Sequence, residues 1–261
     1  MQSFKIKQKN MKNFILLALL VVIGSAIFFL TGDKKEDPEI IEPPALTVNY
    51  VGEGIEAHGL NVVDTKNDET IFSITLEELQ IWMRENWDVF EEPPEVALRP
   101  VEPENFSFFD ASATISPDSE KLAFSVHDYS ALTTLSFVLV ADIESGDLSV
   151  VKDPVRGSIE RFIWSADSKL VAYVLGTARA GGDFLSVDDT EELEKRFTLS
   201  ENEILEAIGT EYENGDGFMP GFRELEWKDD RLHFTTDSPH GVGIRWSIDR
   251  DGEGLATSAG L

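Results

Sequence analysis

From Asp110 onward the chain alternates short apolar runs with short polar ones, at a spacing that predicts strands rather than helices. Ala113-Thr114-Ile115, Leu122 to Val126, Ser136 to Ala141 and Leu148 to Val151 are four such runs, rich in β-branched and aromatic residues. Turn-forming clusters separate them. Pro117-Asp118-Ser119-Glu120 is one, because proline presets φ and aspartate bonds its own backbone. Glu144-Ser145-Gly146-Asp147 is another, at hairpin spacing. A second set of strands is predicted at Ile159 to Trp164, Leu170 to Leu175 and Phe184 to Val187. A third set uses Leu225 to Trp227, Leu232 to Thr235 and Gly243 to Ile248, with Asp251-Gly252 as its hairpin turn. Leu60 to Ile74 is similar to the hairpin from Phe137 to Val151 and reads as part of an earlier, fourth set.

The sets share a phrase. Ile115-Ser116-Pro117-Asp118-Ser119-Glu120-Lys121-Leu122-Ala123-Phe124 returns as Trp164-Ser165-Ala166-Asp167-Ser168-Lys169-Leu170-Val171-Ala172-Tyr173. A looser copy is Trp227-Lys228-Asp229-Asp230-Arg231-Leu232-His233-Phe234. Repetition at this scale predicts several copies of one supersecondary unit, each burying its face on the next. The phrase resembles the repeat of TolB-like and WD-type β-propellers. That resemblance covers Asp110 to Tyr173 well and Phe222 to Gly254 loosely. It implies four-stranded blades around a channel and says almost nothing about function. The expected fold is all-β: propeller-like four-stranded repeats in a small or incomplete propeller, with two helical insertions, preceded by an N-terminal transmembrane helix.

The insertions show helical rather than strand periodicity. Thr75-Leu76-Glu77-Glu78 is a capping box, followed by Leu79, Met83, Trp87 and Phe90 on one side. Asp188 to Phe197 opens with helix-favouring acids, and Ser200-Glu201-Asn202-Glu203 is a second capping box ahead of Ile204, Leu205 and Ile208, with Gly209 as the stop. Such stripes pack on sheet edges, or present Trp82 and Trp87 to a partner.

The N-terminus has a third pattern. Residues 1–13 form a basic tail with Lys5, Lys7, Lys9 and Lys12. Residues 14–30 carry no charge and are long enough to span a bilayer as an anchor or signal segment. Lysines ahead of the run place the N-terminus in the cytoplasm and the rest outside, at the cell membrane as a single-pass protein. A cleaved signal peptide ending near Gly24-Ser25-Ala26 is the alternative, although Ile27-Phe28-Phe29-Leu30 extend the apolar run. Residues 31–44 are acidic and proline-rich, a linker that neither continues a helix nor buries a core. Residues 45–261 form the exported domain.

Charge narrows the partners. With 49 acidic against 22 basic residues the formal net charge is −27, which repels phosphate backbones and argues against nucleic acid. The absence of cysteine excludes disulfides and thiolate sites. Of the histidines, His58, His127, His233 and His240, none pair at metal-ligand spacing, and strand patterns around His127 and His233 point to structural roles. Asp249-Arg250-Asp251-Gly252-Glu253 and Glu211 to Gly217 look like fragments of calcium loops but lack the remaining ligands, so turn chemistry is the simpler reading. Gly157-Ser158 and Gly181-Gly182 read as ordinary turns. No catalytic, cofactor-binding or metal residue is assigned, and no cofactor is expected. The expected function is a non-catalytic binding or scaffold module, held to the membrane by its N-terminal helix, that recognises a protein or cell-envelope ligand and pairs with its own copies through blade edges. The alternative is an envelope carbohydrate-active hydrolase using carboxylates on the propeller face.

Overall fold

The computed structural model describes residues 45–52, 57–86, 102–107, 113–128, 135–177, 182–208, 221–237 and 243–257. The chain forms two units, Met1–Glu42 and Pro43–Leu261, and every described residue belongs to the second. The apolar run at 14–30 and the linker at 31–44 lie outside the described residues. Among those described, no helix is long and apolar enough to cross a membrane.

The described strands form four antiparallel meanders in chain order. The first sheet is β1 (Leu46–Val51), β2 (Gly59–Asp64) and β3 (Glu69–Thr75). In the second, β4 (Phe106–Ser107) and β5 (Thr114–Ile115) share the first position beside β6 (Lys121–Asp128), followed by β7 (Leu135–Asp142) and β8 (Leu148–Arg156). The third is β9 (Ser158–Trp164), β10 (Leu170–Thr177), β11 (Gly182–Asp189) and β12 (Lys195–Ser200). The fourth is β13 (Phe222–Lys228), β14 (Arg231–Thr236), β15 (Ile244–Asp249) and β16 (Ala256–Thr257). Helix α1 (Leu76–Glu85) follows β3, and α2 (Glu201–Ile208) follows β12.

Period-two alternation gives each inner sheet two apolar faces, and each face packs on the next sheet. Leu60, Val62, Phe72 and Ile74 of the first sheet meet Leu122, Phe124, Phe137 and Leu139 of the second. The opposite face of the second sheet, with Ala123, Val138 and Val140, packs on Phe162, Trp164, Val171 and Tyr173 of the third. The far face of the third, with Ala172, Leu185 and Val187, packs on Leu232, Phe234, Trp246 and Ile248 of the fourth. Each large side chain buried in these seams contributes about 1.5–3 kcal/mol. The first strands adjoin in the same order, β1 beside β5, β5 beside β9 and β9 beside β13. The meanders thus stack face to face in sequence order, in the form of propeller blades. The two terminal faces are polar: Asn49, Asn61 and Ser73 alternate with the core residues of the first sheet, and Arg223, His233 and Arg245 with those of the fourth. A polar outer face is what a terminal repeat needs to stay soluble.

Both capping boxes form. The Glu78 carboxylate accepts from the Thr75 N–H at 2.8 Å while the Glu78 N–H donates to the Thr75 hydroxyl, and Ser200 and Glu203 repeat the exchange. Leu79 and Met83 of α1 are buried against the first seam, and Ile204 of α2 against the third. The helix is capped at Asn86; Trp87, Phe90 and Gly209 lie outside the described residues.

Two expectations are corrected. Asp188 to Phe197 is not helix: it is the end of β11, a turn and the start of β12. The Asp189 carboxylate takes the N–H groups of Glu191 and Glu192 at 2.8 and 2.9 Å, and the Asp189 N–H bonds the Glu194 carbonyl, so side-chain capping closes a hairpin where the acids favoured a helix. Gly157 is not an ordinary turn residue. Its φ is +131°, and a Cβ there would lie 2.2 Å from the Gly176 carbonyl oxygen, so the β8–β9 connection requires glycine to pass this close to β10.

Candidate binding cleft between the first two sheets

A cleft of about 600 Å³ opens between the first and second sheets. One wall is β3, through Ile71, Phe72, Ser73 and Ile74; another is α1, through Glu78 and Trp82; the third is the β7–β8 turn from Ile143 to Leu148. Phe72 and Ile74 turn inward to the core, so β3 is fixed by the first seam. A register shift against Val62 and Val63 leaves Ile71 as an extra residue, 39% exposed at the cleft. Trp82 packs its ring partly on the core and lines the cleft with the rest.

The turn wall is held by its own polar bonds. Asp142 accepts the Ser145 N–H at 2.7 Å, and Gly146 takes φ of +79°. That backbone bond, with the Ser145 hydroxyl, holds the Asp142 carboxyl below the usual carboxylate range. Bonds from the Thr75 hydroxyl and N–H do the same for Glu78. Glu78, Glu144 and Asp147 all line the cleft, and among the described residues no lysine or arginine joins them. The cleft therefore carries negative charge over a partly apolar floor.

The polar residues singled out in the sequence lie elsewhere. His127 is buried between the second and third sheets, where its Nδ1 bonds the Ser136 hydroxyl and its Nε2 lies 3.5 Å from the Ser125 hydroxyl. The Ser136 hydroxyl donates to the Gly157 carbonyl, so its one proton is committed and it accepts from His127, which places the imidazole proton on Nδ1. This Ser–His pair ties the second sheet to the β8–β9 connection. His233 is half-buried on the outward face of the fourth sheet, His58 is exposed between β1 and β2, and His240 lies outside the described residues. Asp249 accepts from the Asp251 and Glu253 N–H groups at 3.2 and 2.7 Å, and Arg250 pairs with Asp167, so this segment is a closed turn. Glu211 to Gly217 and Trp87 lie outside the described residues. Among the described residues no group of three or more histidines, aspartates or glutamates is placed to hold a metal. At the start of α2, burial raises the Glu201 carboxyl above its usual value, against a bond from the Asp183 N–H.

Of the cleft, sequence reasoning reached only Trp82 as a partner-facing residue. Ile71, Glu144 and Asp147 went unassigned because the cleft joins segments some 70 residues apart. One local feature marks it: the capping box starts at Thr75, directly after β3, so the chain turns into helix where the other sheets continue to a fourth strand.

No family model matches the chain, and no curated protein matches it. Solved structures do. The β-propeller domain of the Trilobed protease from Pyrococcus furiosus is 13% identical, with 82% of this chain and 52% of that one covered at a TM-score of 0.44. The Pyrococcus horikoshii acylaminoacyl peptidase is 13% identical over 77% of this chain and 28% of that one, at 0.46. An oligogalacturonate lyase in complex with manganese is 10% identical over 78% and 48%, also at 0.46. The chain thus spans about half or less of the length of these proteins. At such scores the likenesses carry no conclusion about activity, and the architecture rests on the sheets themselves.

Proposed function

We propose that this chain is a non-catalytic binding module with a TolB-like repeat architecture, anchored by the apolar run at 14–30 and displaying its sheets on the extracytoplasmic side. The cleft between the first and second sheets is its recognition site. The observation that carries the reading is the cleft's composition: among the described residues, three carboxylates and no cation stand around the apolar side chains of Ile71 and Trp82. In a chain of net charge −27 such a surface attracts and orients a cationic protein segment.

Isothermal titration of the purified full chain in mild detergent with lysine-containing and glutamate-containing peptides of matched length tests this. Binding of the lysine peptide that weakens as salt rises and disappears in Glu144→Lys/Asp147→Lys is the expected result. Equal affinity for both peptides contradicts it.

A further inference from the structure

Resting on that binding role, we propose that the partner is an extended lysine- or arginine-bearing segment of another protein, which adds to β3 as the fourth strand of the first sheet. The second, third and fourth sheets each continue one strand beyond their third position, to β8, β12 and β16. Among the described residues the first sheet ends at β3, which pairs only with β2.

The cleft lies where that strand would run. Successive side chains of a strand point to opposite faces. A concavity lined by Ile71, Phe72, Ser73 and Ile74 together touches both faces, so it follows the strand's edge rather than one side of the sheet. Along such an edge alternate residues direct their N–H and C=O groups away from the partner strand, a template for another chain. Edges are commonly blunted by lysine, proline or a bulge; β3, with the sequence Glu-Thr-Ile-Phe-Ser-Ile-Thr, carries no lysine or proline, and its one bulge, at Ile71, leaves Phe72 to Thr75 in regular register with β2. The opposite wall chooses the occupant: Glu144 and Asp147 on the β7–β8 turn and Glu78 on α1 favour a cationic strand, while Ile71 and Trp82 offer apolar contact to its alternate side chains.

The test uses the full chain and a labelled peptide with the alternating sequence Lys-Val-Lys-Val-Lys-Val, read by fluorescence anisotropy. Two further versions carry backbone N-methyl groups on the lysines or on the valines, which leaves the side chains in place. A strand pairs through one edge only, so one methylated version should bind at least tenfold more weakly while the other stays within about twofold of the parent. Affinity unchanged in both versions overturns strand addition and leaves the binding role standing. Affinity lost equally in both also overturns it. No binding of the unmethylated peptide defeats the strand and the binding role together.

Discussion

The Ser168 hydroxyl accepts the backbone N–H of Asp118 at 3.1 Å, so the second copy of the repeated turn holds the first. The copies share one internal wiring. The serine hydroxyl at each start donates to the aspartate two residues on, in Ser116–Asp118 and Ser165–Asp167. The same hydroxyls accept the Lys121 and Leu170 N–H groups, both at 2.9 Å. Ser119 and Ser168 take φ of 67° and 59°. Arg250 extends the chain of contacts to the fourth sheet by pairing with Asp167 at 2.8 Å. What reads as a sequence repeat is thus a set of linked turns along one rim.

Because the wiring is shared, Ser116→Ala and Ser165→Ala should destabilise the domain by similar amounts, about 1–2 kcal/mol each. Ser168→Ala removes the contact between turns and should cost about 0.5–1.5 kcal/mol. Thermal denaturation of the full chain checks this, with Tm falling by about 2–4 °C per kcal/mol for a domain of this size. A serine of the pair that is silent while its counterpart is costly would show that the two turns are not equivalent.

Gly157→Ala should be strongly destabilising. The new methyl would meet the Gly176 carbonyl at 2.2 Å from a backbone at φ +131°. A loss of about 2–4 kcal/mol is expected from the combined strain and displacement. Urea denaturation gives the value; a change below about 0.5 kcal/mol would mean that the β8–β9 connection relaxes freely.

Tyr173 donates its hydroxyl proton to Asp188 inside the seam between the second and third sheets, with its ring 5.6 Å from that of Phe162. Burial, with the Asp188 charge beside it, pushes the phenol well above its ordinary value. Tyr173→Phe keeps the packing and removes a donor from a buried carboxylate, so about 1–3 kcal/mol should be lost. The change should couple to Asp188→Asn in a double-mutant cycle. Additivity of the two changes would deny the interaction.

Stability should respond to pH in opposite senses at two sites. At Asp167 burial works to raise the pKa, but the Ser165 hydroxyl, Arg250 and the Lys169 N–H outweigh it and hold the group low. Its contribution is present above 3.8 and lost as pH falls through its lower folded value. Glu201 is raised by burial, so its folded form favours the proton: that contribution is present below 4.5 and lost as pH rises through the higher folded value. Glu201→Gln should therefore stabilise the protein at pH 7 relative to the native chain, and the advantage should shrink toward pH 4. Denaturation midpoints across that range decide it; an advantage that is constant with pH would rule out titration of Glu201 as the cause.

The repeat, its hairpins and both capping boxes were legible because each is local. A serine or threonine three residues ahead of a glutamate, or an aspartate before a turn, satisfies its own backbone. The same locality misled at Asp188 to Phe197, where acids that favour a first helical turn also cap a hairpin, and the pairing of β12 with β11 decided the outcome. Gly157 was invisible because its constraint comes from Gly176, across the sheet. The cleft was legible only in part, since it is defined by where β3 ends and by what the β7–β8 turn places opposite. No spacing along the chain encodes that approach.

Hydrogen exchange of the full chain, read by mass spectrometry with and without the lysine peptide, tests the location of the site most directly. Slowed exchange confined to Ile71–Ile74 and Ile143–Leu148, with β13 to β15 unchanged, is the expected result. Protection appearing in the fourth sheet, or nowhere, would contradict a recognition site between the first two sheets.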